Sequence, residues 1–173
     1  MTNDLDLAVK RLEKKLSKIS KVETDRAYSA AVNKVAARIK TRVVRAVAGD
    51  TKIAQKVVRR RIYLRRSRAK TGKAVITFYG KPVNAIDTNY SLLKRGYKVA
   101  GTLYPRTFFA KGKGPRHQIF QRKGAARYPI APVRIPISDE VERYAVPITA
   151  QLMKTEFPDL LRHELGVRIR GVI

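Results

Sequence analysis

The chemistry most concentrated in this sequence is that of the guanidinium group. Seven cations fall within twelve residues in Arg59-Arg60-Arg61-Ile62-Tyr63-Leu64-Arg65-Arg66-Ser67-Arg68-Ala69-Lys70. Arginine stays charged and can grip two phosphate oxygens at once. Such contacts ignore base sequence and weaken with salt. A shorter basic run, Lys111-Gly112-Lys113-Gly114-Pro115-Arg116, could also meet a phosphate. It lacks the complete spacing of a P-loop, so a basic tip brushing a nucleic-acid backbone is favoured over nucleotide binding. The candidate phosphate contacts are Arg59, Arg60, Arg61, Arg65, Arg66, Arg68 and Lys70 in the first run, and Lys111, Lys113 and Arg116 in the second. The plainer alternative is that both runs are solvated or face another subunit. Neither zinc-finger spacing nor an RRM-like aromatic signature nor a clear recognition helix is present, so base-specific reading is not expected.

Bond-making chemistry has few candidates. His117 and His163 lie far apart in sequence. Asp139, Glu140 and Glu142 could suggest a cation site, but a helix start explains acids following Ser138 better. There is no HExxH, and the chain has no cysteine. No metal and no other cofactor is therefore expected. A nuclease needs clustered acids for metal ions, and from Thr51 to Ser138 the single acid is Asp87. The expectation is a protein that is not an enzyme.

The charge distribution sharpens the picture. Thirty-nine Lys and Arg against thirteen Asp and Glu give +26. Solubility alone asks for a net charge of roughly 2–8 on a small domain. The stretch 51–138 holds 22 of the basic residues against Asp87 alone, a net of +21. One surface is thus expected to be cationic and to face a polyanion. With 44% apolar residues the chain can still bury a core. No apolar run approaches the ~20 residues of a membrane span. The polar, acid-bearing segment Met1 to Asp6 is unlike a secretory signal. A soluble protein without a membrane partner is expected.

These side chains need elements to hold them. Leu5, Val9, Leu12, Leu16 and Ile19 recur at helical spacing, and residues 1–22 read as an N-terminal helical arm. A helix is predicted from about Asp25 to Ala48, capped by Thr24 or Asp25 and stopped by Gly49. Another is predicted to start after Asp50 or Thr51 and to run to about Arg60. Alternation at Ile62, Leu64, Val75, Thr77 and Tyr79 predicts a basic hairpin with its turn at Ser67 to Gly72. Residues 84–96 are ambiguous, with a short helix at Tyr90 to Arg95 ended by Gly96 as one reading. A second hairpin pairs Arg106–Ala110 with His117–Gln121. The prolines at 129, 132 and 136 make Tyr128 to Ile137 an edge strand or a draped segment. Helix returns at Ser138, with Pro147 and Pro158 expected to kink or divide it. The fold class expected is α+β, with N-terminal helices, a central antiparallel sheet and C-terminal helices, all in one domain over 1–173.

The segment Gln121-Arg122-Lys123-Gly124-Ala125-Ala126-Arg127-Tyr128-Pro129-Ile130, continuing to Ile137, resembles the minor tail protein Z family of lambda-like siphophages and prophages. Members carry a Gln-Arg, a glycine, then Arg-Tyr-Pro-Ile and Val-x-Ile-Pro before the final helices. Ala31-Val32-Asn33-Lys34-Val35-Ala36 is similar to the family's Ala-x-Asn-Arg-Val-Ala, with Lys34 in place of arginine. Thr51-Lys52, the basic run to Arg68, and the ending from Phe157-Pro158 to Arg170 are similar too. The likeness covers roughly residues 25–173, with 80–115 departing from the pattern. It assigns Gln121, Arg122, Arg127, Tyr128, Pro129 and Ile130 to the family motif. The resemblance implies a structural virion protein, made in the host cytoplasm. It would complete the tail at its head-proximal end and help it join a filled head. Its implied partners are other tail and neck proteins and, non-specifically, the viral double-stranded DNA, around which it would form a homo-oligomeric ring, sixfold in similar neck proteins. A ribosomal or other RNA-binding protein is the rival that the same charge would fit.

Overall fold

The computed structural model describes residues 21–112 and 114–170. The arm expected over Leu5 to Ile19, and the candidate contact Lys113, lie outside the described residues. The class is α+β, with long helices near both ends and short antiparallel strands between them.

Helix α1 runs from Lys21 to Thr51. Ala27, Ala31, Val35, Ala36, Ile39, Val43, Val44 and Val47 are buried along it, spaced at the three and four residues that keep one stripe inward. The helix passes through Gly49 and Asp50, where a stop and a new cap had been expected. Glycine weakens a helix without ending it, and Thr51 donates its hydroxyl back to the Val47 carbonyl at 2.6 Å. The break comes at Lys52, which takes a left-handed φ of 55°. The next helix, α2, is only Gln55–Arg59 and begins at Ala54 without a side-chain cap.

The described chain forms two compact units. The first comprises 21–40, 64–76 and 149–170. Its core includes Ala27, Ala31, Val35, Ala36, Ile39 and Leu152. Tyr28 meets Phe157 edge-to-face with ring centroids 5.7 Å apart. The second comprises 41–63 and 77–148. There Ala85, Val99, Ile119 and Val133 form a buried cluster, with Tyr97, Tyr104 and Ile135 packed against it.

The expected basic hairpin is present as β1 (Ile62–Arg65) paired with β2 (Val75–Phe78). Strand β3 (Val83–Asn84) precedes a single 3-10 turn at Ala85–Asp87. The short helix read over Tyr90 to Arg95 is not there. That region is a meander of β4 (Tyr90–Leu93), β5 (Gly96–Val99) and β6 (Thr102–Pro105). Its second turn, Ala100-Gly101, has positive φ at both residues (48° and 85°), the twist that two-residue hairpin loops prefer. Gly96 does not stop a helix. Its φ is 142°, and a Cβ there would stand 2.2 Å from the Tyr104 carbonyl oxygen.

Strands β7 (Thr107–Lys111) and β8 (His117–Arg122) form the second expected hairpin. The proline-rich stretch supplies β9 (Ile130–Pro132) at the edge of that sheet and β10 (Arg134–Ile135), which pairs with β3. Helix α3 (Ser138–Thr155) starts where expected and continues through Pro147. Proline there removes one backbone donor from an 18-residue helix whose Val141, Ala145 and Leu152 are buried. The division falls instead at Glu156, ahead of Pro158, and α4 (Phe157–Arg170) follows.

Candidate nucleic-acid interface

The first basic run is divided between the two units. Arg59, Arg60 and Arg61, at the end of α2 and the turn after it, belong to the second. Arg65, at the end of β1, and Arg66, Arg68 and Lys70, in the hairpin loop, belong to the first. All are exposed except Arg61, which is half-buried. In the second unit Lys111 pairs across the β7–β8 hairpin with His117, beside exposed Arg116. The ring of His117 stacks on Phe109 with centroids 5.0 Å apart and ring planes nearly parallel, so this histidine has a packing role within the hairpin.

Neutralisation follows the helices and skips these loops. Ion pairs among the described residues include Arg26 with Glu23, Lys34 with Glu164, Arg38 with Glu156, Arg143 with Asp50, Arg162 with Asp159, and Arg168 with both Glu23 and Glu164. None involves Arg59, Arg60, Arg61, Arg65, Arg66, Arg68, Lys70, Lys111 or Arg116. Within each unit, cations that are not paired with a carboxylate leave a positive field at the surface.

The shape of the first loop is set by hydrogen bonds that the sequence did not advertise. Ser67, buried within the basic run, donates its backbone N–H to Asn33 Oδ1 at 2.7 Å. Its carbonyl accepts from Asn33 Nδ2 at 3.0 Å. Ser67 Oγ lies 3.1 Å from Ser29 Oγ, one turn earlier on α1. The Arg68 carbonyl then accepts from the backbone of Thr71 and Gly72. A polar residue in the middle of a helix often signals such a bond, but its partner lies 34 residues away.

The motif residues Gln121 to Ile130 form a closed turn beside β8. Gln121 Nε2 donates to the Pro105 carbonyl at 3.1 Å. Arg122 reaches the Arg127 carbonyl at 3.5 Å and lies over the Phe108 ring. Lys123 N–H donates to the Pro129 carbonyl. Arg127 sits over the ring of Tyr128, which is exposed, and the Tyr128–Pro129 peptide bond is cis. Ile130 opens β9. In this arrangement Arg122 holds a turn together, with its guanidinium already engaged.

Among the described residues Glu164 is the one buried acid, and it was not singled out from the sequence. Hydrogen bonds from the Lys34 ammonium, and then from the Arg168 guanidinium, hold its carboxyl below the usual range. Asp139 and Glu140 occupy the first turn of α3, as the helix-start reading had them. No group of three metal-ligating side chains occurs among the described residues.

The model of a family described as prophage minor tail protein Z matches residues 5–88 and 83–173. The chain is 30% identical over 162 residues to the "Tail completion protein" of Escherichia phage N15, covering 87% of this chain and 84% of that protein. It is 28% identical over 197 residues to "Tail completion protein Z" of Escherichia phage lambda, covering 96% of this chain and 99% of that protein. No solved structure matches the chain.

Proposed function

The chain belongs to the prophage minor tail protein Z family, and from that premise we propose that it completes a phage tail at its head-proximal end, joins the tail to a filled head, and surrounds the viral DNA there as a ring subunit. Its role in the tail is structural. The names of the two relatives support the completion step.

The DNA-facing part of the reading is carried by one observation. The cations from Arg59 to Lys70, with Lys111 and Arg116, are largely exposed and have no carboxylate partner among the described residues. A channel lined by such groups holds a duplex by its phosphates and allows it to slide, since phosphate contact positions DNA without reading sequence. The mechanism is mechanical and electrostatic, with no covalent step. A closed ring of identical subunits, six in our reading, would repeat the basic loops around the DNA axis.

The completion step is tested by assembling tails without this protein and mixing them with filled heads. The tails should look nearly complete and give no infectious particles until the protein is added. Full infectivity without it would refute the role.

A further inference from the structure

Within the basic run, Ser67 breaks the pattern of exposure. Arg65, Arg66, Arg68 and Lys70 are exposed, whereas Ser67 is only 7% exposed. The Asn33 amide takes both its N–H and its carbonyl, at 2.7 and 3.0 Å, as a neighbouring strand would. Ser29 Oγ adds a third tie from the preceding helical turn. Beyond Ser67 the loop closes on itself, with Thr71 and Gly72 both donating to the Arg68 carbonyl at 2.9 and 3.0 Å. Gly72 takes a φ of +58°, with the Tyr28 ring 3.5 Å from where a Cβ would stand. The backbone is therefore tied at residues 67, 68, 71 and 72, while the charged ends remain outside.

We propose that Asn33 is the positioning residue of an arginine loop held ready for a polyanion of fixed phosphate spacing, double-stranded DNA, in preference to flexible polyanions. The ligand half of this rests on the DNA reading above; the clamp does not. A loop fixed before binding loses little conformational freedom when it docks, provided the ligand's charges match its own spacing. A flexible polyanion adapts to either a fixed or a loose loop and gains nothing from the clamp. The arginine side chains supply attraction, and Asn33 supplies selectivity without carrying charge.

The experiment compares the full chain with Asn33→Ala and Ser29→Ala, neither of which alters net charge. The first readout is the rate of trypsin cleavage after Arg65, Arg66 and Arg68, with folding checked by circular dichroism. Two lost hydrogen bonds correspond to about a tenfold faster cleavage in Asn33→Ala, and Ser29→Ala should show a smaller rise. The second readout is fluorescence anisotropy with a duplex DNA and with heparin at equal ionic strength. Asn33→Ala should lose duplex affinity by about tenfold on the same two-bond reasoning while keeping its heparin affinity. Unchanged cleavage would overturn the clamp. Faster cleavage with an unchanged ratio of duplex to heparin affinity would overturn the selectivity. Faster cleavage in a protein whose parent form binds no duplex would uphold the clamp and sink the DNA reading alone. Should Asn33→Ala not fold, Ser29→Ala carries the same two readouts, because alanine suits a helix better than serine.

Discussion

Replacing Arg65, Arg66 and Arg68 with glutamine is the most direct probe of the charged loop. All three guanidinium groups are exposed and pair with no carboxylate among the described residues, and the clamp on Ser67 uses none of them. The fold should therefore be left alone, since surface changes of this kind usually stay within about 0.5 kcal/mol. Binding should not. If the seven cations from Arg59 to Lys70 each neutralise one phosphate, the plot of log K against log salt has a slope of about −6, from roughly −0.9 for each contact. Removing three brings it to about −4 by the same rule. Between about 50 and 200 mM salt, the parent chain should lose close to four decades of affinity and the variant about two. Anisotropy titrations with a short duplex at several salt concentrations measure both slopes. Two different duplex sequences should give the same values, because phosphate contacts carry no base information. A variant whose slope matches the parent's would refute the assignment of these arginines, whatever its absolute affinity.

Glu164 gives a prediction about acid. In the unfolded chain it takes up its proton at the ordinary glutamate value, and in the folded chain only at a lower pH, because Lys34 and Arg168 bind the ionised form. Its stabilisation is complete above the ordinary value and disappears as the pH falls through the lowered one. Urea midpoints measured down that window should fall in the parent and flatten in Glu164→Gln; identical pH profiles would reject the linkage. At neutral pH, Glu164→Ala should cost about 1–3 kcal/mol, the range for losing hydrogen bonds to charged groups, read as a lower melting temperature. In the meander, Gly96→Ala places a Cβ against the Tyr104 carbonyl oxygen at a φ of 142°. Strain of that kind costs about 1–3 kcal/mol before the clash is counted, so either a large drop in melting temperature or failure to fold is expected, and a thermally unchanged protein would show the turn to be misplaced.

The α+β class was legible because its strands and turns use strong local signals. Ile62, Leu64, Val75 and Thr77 alternate, and Gly112, Gly114 and Pro115 leave no option but a loop between β7 and β8. The meander was not legible. Tyr90-Ser91-Leu92-Leu93 forms a strand exposed at all four positions, so it carries no alternation of buried and exposed residues to read. Its first turn, Lys94-Arg95, lacks glycine, asparagine and proline. The end of α1 was misplaced for the opposite reason: Gly49, Asp50 and Thr51 are good stop and cap residues, yet Val47 and Ala48 are buried and the helix continues past them. The candidate cations could be named from the sequence because charge needs no geometry. Asn33 and Ser29 could not, because their partner Ser67 is brought near only by folding, and Glu164 could not, because the local pair with Arg168 is an ordinary i,i+4 pair and the distant partner Lys34 arrives only in the fold.

The placement of the acids bears on how such a basic chain folds at all. The carboxylates of the ion pairs named above lie on α1, on α4 and at Glu156, where α3 gives way to α4. Those helices also supply the buried residues Val35, Ile39, Val141 and Leu152. Self-repulsion is relieved where the chain packs, and left in place in the β1–β2 loop and at the β7–β8 tip, where exposed side chains can spread apart in water. Adding acids to those loops would also reduce the repulsion, but it would remove their attraction for phosphate. A substitution such as Lys70→Glu should therefore stabilise the folded chain slightly or leave it unchanged, while weakening duplex binding by more than Lys70→Gln does. If both substitutions weakened binding equally, the field of the loop would not be what draws the DNA.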